Sequence, residues 1–128
     1  MREAMIFVGE TAGKGRGIFA RRKICTGETI EEAPVLVIPK SEIEFLEKTL
    51  LQDYYFLWGE NEEEAAVMFG ICSLCNHSYR PNAVFNLRPE TLTIKFVAHR
   101  DIEEGEEITI NYNGDPEDQS SIWFDALA

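Results

Sequence analysis

Residues 74–85 read Leu-Cys-Asn-His-Ser-Tyr-Arg-Pro-Asn-Ala-Val-Phe, a block that packs a cysteine, a histidine, two asparagines, a tyrosine and a proline beside an apolar run. An unpaired buried polar group costs on the order of 1–3 kcal/mol. The fold must therefore bring partners to residues 76–82, either backbone from other segments or a ligand.

The flanking sequence reads as short strands broken by turns. "AMIFVGE" fits a strand, "TAGKGRG" a glycine loop, and "IFARRKI" a second strand-like run. A turn at Thr26-Gly27 leads to a β-branched run, Val35 to Ile38, bounded by Pro34 and Pro39 and expected to end at Pro39. Ser41 followed by Glu44 resembles a capping box, and Ile43, Leu46, Leu50 and Leu51 recur at helical spacing, so a helix is predicted over 42–51. "DYYFLWG", residues 53–59, reads as an extended element or helix end. "ENEEEAAVMFGICSLCNHS" reads as an acidic turn and a short apolar helix, with Glu62 to Glu64 favourably placed at its N-terminus. "AVFNLRPETLTIKFVAHRDI" predicts a hairpin with Phe85 on one arm and Ile94 and Phe96 on the other. A turn at Glu104-Gly105 and a strand from Ile108 to Tyr112 follow, then a loop-like "DPEDQSSIWFDALA". The sum is a single domain, mainly β with short helices, and no repeat or linker divides it.

Composition narrows the partners. A net charge of −11 disfavours attraction to phosphate backbones and suits a basic partner, although Glu62 to Glu64 and Glu103 to Glu107 also serve as solvated surface. No apolar stretch approaches the roughly 18 residues of a membrane span. The N-terminal apolar run is shorter than the ~7–15 residues of a signal-peptide core, so a cytoplasmic location is expected, or a nuclear one in a eukaryote. Cys25, Cys72 and Cys75 are an odd set in a domain large enough to fold without staples, so reduced thiols are expected.

Several motifs carry chemistry, and each has an ordinary reading. The glycines of "GKGRG", residues 13–17, let backbone approach a small ligand, and Lys14 or Arg16 could meet an anion; a plain β-turn explains them equally. Neither a dinucleotide fingerprint nor a phosphate loop fits, because β-rich sequence rather than a helix follows. Cys72-x2-Cys75 with His77 could begin a zinc site. The remaining candidates, Cys25 and His99, show no second paired spacing, so no metal is expected. Tyr112, ending "EEITINY", alone reads as a tyrosine with a backbone partner.

In order, "GKGRGIFA", "NHSYRPN" and "GEEITINY", with "TGETI" after the glycine loop, resemble the three motifs of the SET domain of protein lysine methyltransferases, over about Met5 to Tyr112. The chain looks most like minimal free-standing members of bacterial and viral type. The resemblance implies small curved sheets, a β-clip-like fold, with a C-terminal pseudoknot; residues 5–112 would be the SET domain and 113–128 a tail packing over cofactor or channel. It also answers the opening question, placing "NHSYRPN" where crossing segments and cofactor meet. S-adenosyl-L-methionine contacts would fall on the backbone of Lys14, Gly15, Arg16 and Gly17 and on Asn76 and His77, the catalytic tyrosine on Tyr112, and the lysine channel on Phe85, Ile110 and Tyr54. No metal is implied.

The implied chemistry is in-line transfer of an activated methyl group to a neutral lysine amine in an apolar channel. Many members carry Phe or Tyr where this chain has Ile110, which leaves open how many methyl groups are added; an aromatic common in the strand after the glycine loop is replaced near Ala33. The family's cysteines beyond the domain are missing, so Trp123 and Phe124 are expected to cover the adenine or the channel. The substrate would be a basic protein, histone, chromatin-like or ribosomal, with no direct nucleic-acid or membrane contact; a homodimer is compatible with so small a chain. The alternative is a catalytically silent SET-like module that binds a basic peptide, or a structural β-domain recruiting a basic partner. Co-purifying methyl donor or its demethylated product separates enzyme from module.

Overall fold

The computed structural model describes residues 4–121, and within them two sheets hold most of the chain. In the first, β1 (Ile6–Glu10) and β2 (Arg16–Ala20) form an antiparallel hairpin whose rings Phe7 and Phe19 stack at 5.8 Å. β9 (Glu107–Ile110) adds antiparallel to β2, and the short β6 (Asn76–His77) lies parallel to β9, giving the order β1-β2-β9-β6. The second sheet contains β3 (Thr29–Ile38), β4 (Phe56–Trp58), β5 (Glu64–Met68), β7 (Ala83–Arg88) and β8 (Thr93–Ala98) in the order β4-β5-β3-β8-β7. Ile18, Ile24, Ile94, Phe96, Ile102 and Ile108, drawn from both sheets and the turns between them, are fully buried and build one core. No helix of the described residues is long and apolar enough to cross a membrane.

The expected mainly-β architecture and the β7–β8 hairpin are found, with Phe85 directly opposite Phe96. Four expectations need correction. β3 begins at Thr29 and runs through Pro34, which the sequence set as the boundary before a run from Val35. Pro34 sits where β3 changes partner, since residues up to 34 pair with β8 and those from Val35 pair with β5. A missing N–H is tolerated at such a handover.

The helix over 42–51 is broken into a 3-10 turn Lys40–Glu42, a short α1 (Ile43–Leu46) and a second 3-10 turn Leu50–Asp53. No side chain caps the first two, so the Ser41 capping box does not form. Thr49 ends the helix instead: its hydroxyl donates to the Leu46 carbonyl at 2.7 Å and accepts from the Leu51 N–H at 3.2 Å. Side-chain bonds of this kind compete with the helical ladder.

The helix expected after Glu62 to Glu64 is strand β5, central between β4 and β3, followed by a 3-10 turn Ile71–Leu74. Ala65 and Ala66 are fully buried there, and a continuous apolar run with both faces covered has no period that separates strand from helix. Finally, the last strand stops at Ile110 rather than Tyr112. Asn111 turns the chain, its Oδ1 accepting the Asn113 N–H at 2.9 Å, so Tyr112 sits in a turn.

Asn82 joins these parts. Fully buried, it donates Nδ2 to the Glu107 carbonyl at 2.8 Å and to Glu106 Oε2 at 3.1 Å, while its Oδ1 accepts the Thr109 N–H at 2.9 Å. Its own carbonyl accepts the His99 N–H at 2.8 Å, tying the loop after β6 to the end of β8. Asn82→Leu would fill the volume but strand a buried carbonyl and a buried N–H on β9. A loss of about 2–5 kcal/mol of unfolding free energy is expected in urea melts; a loss within experimental error would contradict this role.

Candidate active site

The β1–β2 hairpin presents the glycine loop. Thr11 closes it, donating its N–H and hydroxyl to the Gly15 carbonyl at 2.8 and 2.9 Å, while the hydroxyl accepts the Lys14 N–H at 3.0 Å. Gly15 has φ +73 and open space where a Cβ would stand, so conformation requires glycine there. Gly17 makes room in a different way: a Cβ would lie 2.6 Å from Glu107 Oε2 and 2.9 Å from Asn76 Nδ2, so both side-chain ends would have to shift.

That close approach joins all three motifs. Asn76 Nδ2 donates to the Arg16 carbonyl at 3.1 Å and to Glu107 Oε2 at 2.8 Å, and Glu107 Oε1 pairs with Lys14 Nζ at 3.0 Å. The guanidinium of exposed Arg16 makes no ion pair among the described residues.

One step along β6, His77 accepts the Tyr112 N–H on Nδ1 at 3.0 Å, which leaves the neutral ring's proton on Nε2. Its ring lies 4.3 Å from that of Tyr79 and 5.2 Å from that of Tyr112, centroid to centroid. The Tyr112 hydroxyl donates to the Cys75 carbonyl at 2.7 Å. Burial pushes the Tyr112 hydroxyl well above its ordinary value, reinforced by Cys75, Tyr54, Asp53 and Glu107. Tyr112 is therefore a neutral hydrogen-bond donor, fixed at its backbone by His77 and at its tip by Cys75. The Cys72 thiol is also pushed up, by its bond to Cys75 and by burial, and all three cysteines are free thiols.

Beside Tyr112 opens a cavity of about 700 Å³ that brings Tyr54, Phe85 and Ile110 together with it. Its buried and half-buried walls include Phe56, Cys75, Phe85 and Ile110, and its exposed mouth carries Glu47, Asp53 and Glu62. The Phe56 ring lies 5.1 Å from that of Phe85 and 6.1 Å from that of Phe96, continuing the aromatic wall into the core. Burial and nearby Glu47 raise the Tyr55 hydroxyl above its ordinary value at the same opening.

All the motif residues fall on two adjoining features, with Lys14, Gly15, Arg16, Gly17 and Asn76 at the glycine loop and Tyr54, Phe85 and Ile110 at the cavity. His77 and Tyr112 link the two. Trp123 and Phe124 lie outside the described residues. Of the tail, Asn113 and Gly114 line the cavity and Gln119 Nε2 donates to the Tyr79 carbonyl at 3.1 Å. Sequence reasoning missed Phe56, the Cys75 carbonyl and Glu107. The first lay in a stretch of unsettled structure, the second is a backbone group, and the third read as one more surface acid.

A family model described as the SET domain matches residues 15–113. A Schizosaccharomyces pombe protein named histone-lysine N-methyltransferase, H3 lysine-37 specific, is 33% identical over 119 residues, which cover 92% of this chain and 76% of that one. A Saccharomyces cerevisiae histone-lysine N-methyltransferase, H3 lysine-36 specific, is 34% identical over 122 residues, 88% of this chain but 16% of that protein. Among solved structures, the Chaetomium thermophilum Polycomb Repressive Complex 2 in an autoinhibited conformation bound to S-adenosylmethionine superposes with a TM-score of 0.72 at 25% identity, over 87% of this chain and 15% of that one.

The neutral state of Tyr112 is open to measurement. Because its folded pKa lies above the ~10 of a free tyrosine, its stabilising contribution is complete below that pH and is lost as pH rises through the folded value. In an alkaline titration followed by phenolate absorbance, wild type should show a tyrosine step above the ordinary value that Tyr112→Phe deletes; an unchanged titration curve in Tyr112→Phe above that value would contradict the burial.

Proposed function

The chain belongs to the SET-domain family, and on that premise we propose that it is a protein-lysine N-methyltransferase using S-adenosyl-L-methionine to methylate a lysine of a basic protein, foremost a histone H3-like tail. The carrying observation is the cavity that gathers Tyr54, Phe85, Ile110 and Tyr112, tied to the glycine loop through His77 and Asn76. The net charge of −11 and the exposed acids at its mouth favour a cationic substrate. Ribosomal proteins share that chemistry, but the two relatives above are both named for histone H3. In a eukaryotic cell such a substrate places the protein in the nucleus.

The residues present fit this methyl donor. The glycine loop leaves open space over Gly15, and Arg16 offers an uncommitted cation for a carboxylate. Lys14, Gly15, Arg16 and Gly17 would hold the donor through their backbone, with Asn76 and His77 beside them. When bound, S-adenosylmethionine supplies a methyl group already activated by its sulfonium.

This chain's residues then do three things. Glu47, Asp53 and Glu62 draw the substrate cation to the mouth. The apolar wall of Phe56, Phe85 and Ile110 strips water from the side chain, which favours its neutral amine. Tyr112, its proton committed to the Cys75 carbonyl, turns an electron-rich oxygen toward the cavity, where it can orient the amine.

Incubation with labelled S-adenosylmethionine, recombinant histones and host lysate tests the proposal, with mass spectrometry of labelled bands. Wild type should label a basic protein, and Tyr112→Phe should lower kcat by about 10²–10³-fold with donor affinity kept. Failure of the well-folded wild type to bind the donor in calorimetry would sink the reading.

A further inference from the structure

The contacts of Asn76 define its chemistry toward a ligand. A carboxamide has two N–H donors and one carbonyl acceptor, and which end faces which partner follows from the partners' own chemistry. Both groups that Asn76 meets in the protein, the Arg16 carbonyl at 3.1 Å and Glu107 Oε2 at 2.8 Å, accept only. Nδ2 must therefore face them, and both its hydrogens are spent. Oδ1 is what Asn76 has left to offer, so the ligand group it meets must be a donor.

Glu107 is built to hold this arrangement. It starts β9 beside Phe19 of β2, with its side chain only 18% exposed. One carboxylate oxygen is occupied by Lys14 Nζ at 3.0 Å and the other by Asn76. The absence of a side chain at Gly17 makes the space, since a Cβ there would meet both Glu107 and Asn76.

Resting on the donor-site reading above, we propose that Glu107 is a positioning residue for the methyl donor: it fixes the Asn76 amide so that Oδ1 is presented to the α-ammonium of the donor's amino-acid end. Glutamine at position 107 would weaken this selection, leaving the Arg16 carbonyl alone to require Nδ2. Its side chain can offer either an oxygen to Nδ2 or an NH₂ to Oδ1, so Asn76 would populate both orientations, one of which turns N–H groups toward a cation.

Calorimetry with S-adenosylhomocysteine and its analogue lacking the α-amine tests the idea. Wild type should prefer the amine-bearing ligand by about tenfold or more, the scale of one charge-assisted hydrogen bond. In Glu107→Gln that preference should shrink to below roughly threefold, with the donor KM raised and kcat little changed. Merely structural damage would weaken both ligands alike and leave the ratio intact, which would overturn the proposal. So would a wild type indifferent to the amine, a result that needs no folded variant. Asn76→Ala supplies the coupling check: in that background Glu107→Gln should cause no further loss of preference, and a further loss would show that Glu107 acts elsewhere. If wild type binds neither ligand, the donor site itself is refuted; if it binds and discriminates but Glu107→Gln changes nothing, only the positioning role falls.

Discussion

The buried amide of Asn82 decides whether the other motifs can meet. It lies in the loop after β6, yet its side chain completes the backbone bonding of Glu107 and Thr109 on β9, about as a strand would. A two-residue strand such as β6 has too few ladder bonds to set its own register. Asn82 holds Thr109 from one side while Asn76 pairs with it from the other, and the Ser78 N–H closes onto the Ile110 carbonyl at 2.8 Å. Only with that register does Tyr112, two residues past β9, come within reach of His77 and Cys75. The polar block in the sequence is therefore a joint first and a site second.

Two environments adjoin across that joint. On the side of the glycine loop the contacts are charged and multiply satisfied, among Lys14, Glu107, Asn76 and the Arg16 carbonyl. On the other, aromatic and aliphatic walls enclose the cavity, and burial keeps the Tyr112 hydroxyl neutral. A charged small molecule is at home in the first and a desolvated alkyl chain in the second. Tyr112 belongs to both, which explains why it is tied at two points: a half-buried ring on a turn would otherwise have freedom to rotate away.

What could be read from sequence followed from how local each signal was. The hairpin β7–β8 was legible because alternation and a four-residue turn act within twenty positions. The site motifs were legible through their order, and their residues do converge. β5 was not, because Ala65, Ala66 and Met68 are covered on both sides and carry no period. The 42–51 helix failed on a rotamer: Thr49 bonding back to Leu46 is a choice between two structures that spacing alone does not express. Glu107 was hidden among the acids of residues 103–107, and what separates it from Glu103 is burial against a hairpin ninety residues away, which no window on the chain contains.

The same arrangement constrains how a lysine could lose its proton. Tyr112 is no base, since ionising it would place a phenolate where burial and nearby Asp53 and Glu107 already oppose negative charge. His77 is no base for the cavity through Nδ1, because that nitrogen holds the Tyr112 backbone. The exposed acids Glu47, Asp53 and Glu62 stand at the mouth, where they favour the ammonium form of the proposed lysine substrate. Under the proposed function, an amine inside this apolar cavity is disfavoured from regaining its charge, and the work divides by depth: carboxylates concentrate the cation outside, and the inner wall, by excluding water, favours the neutral fraction.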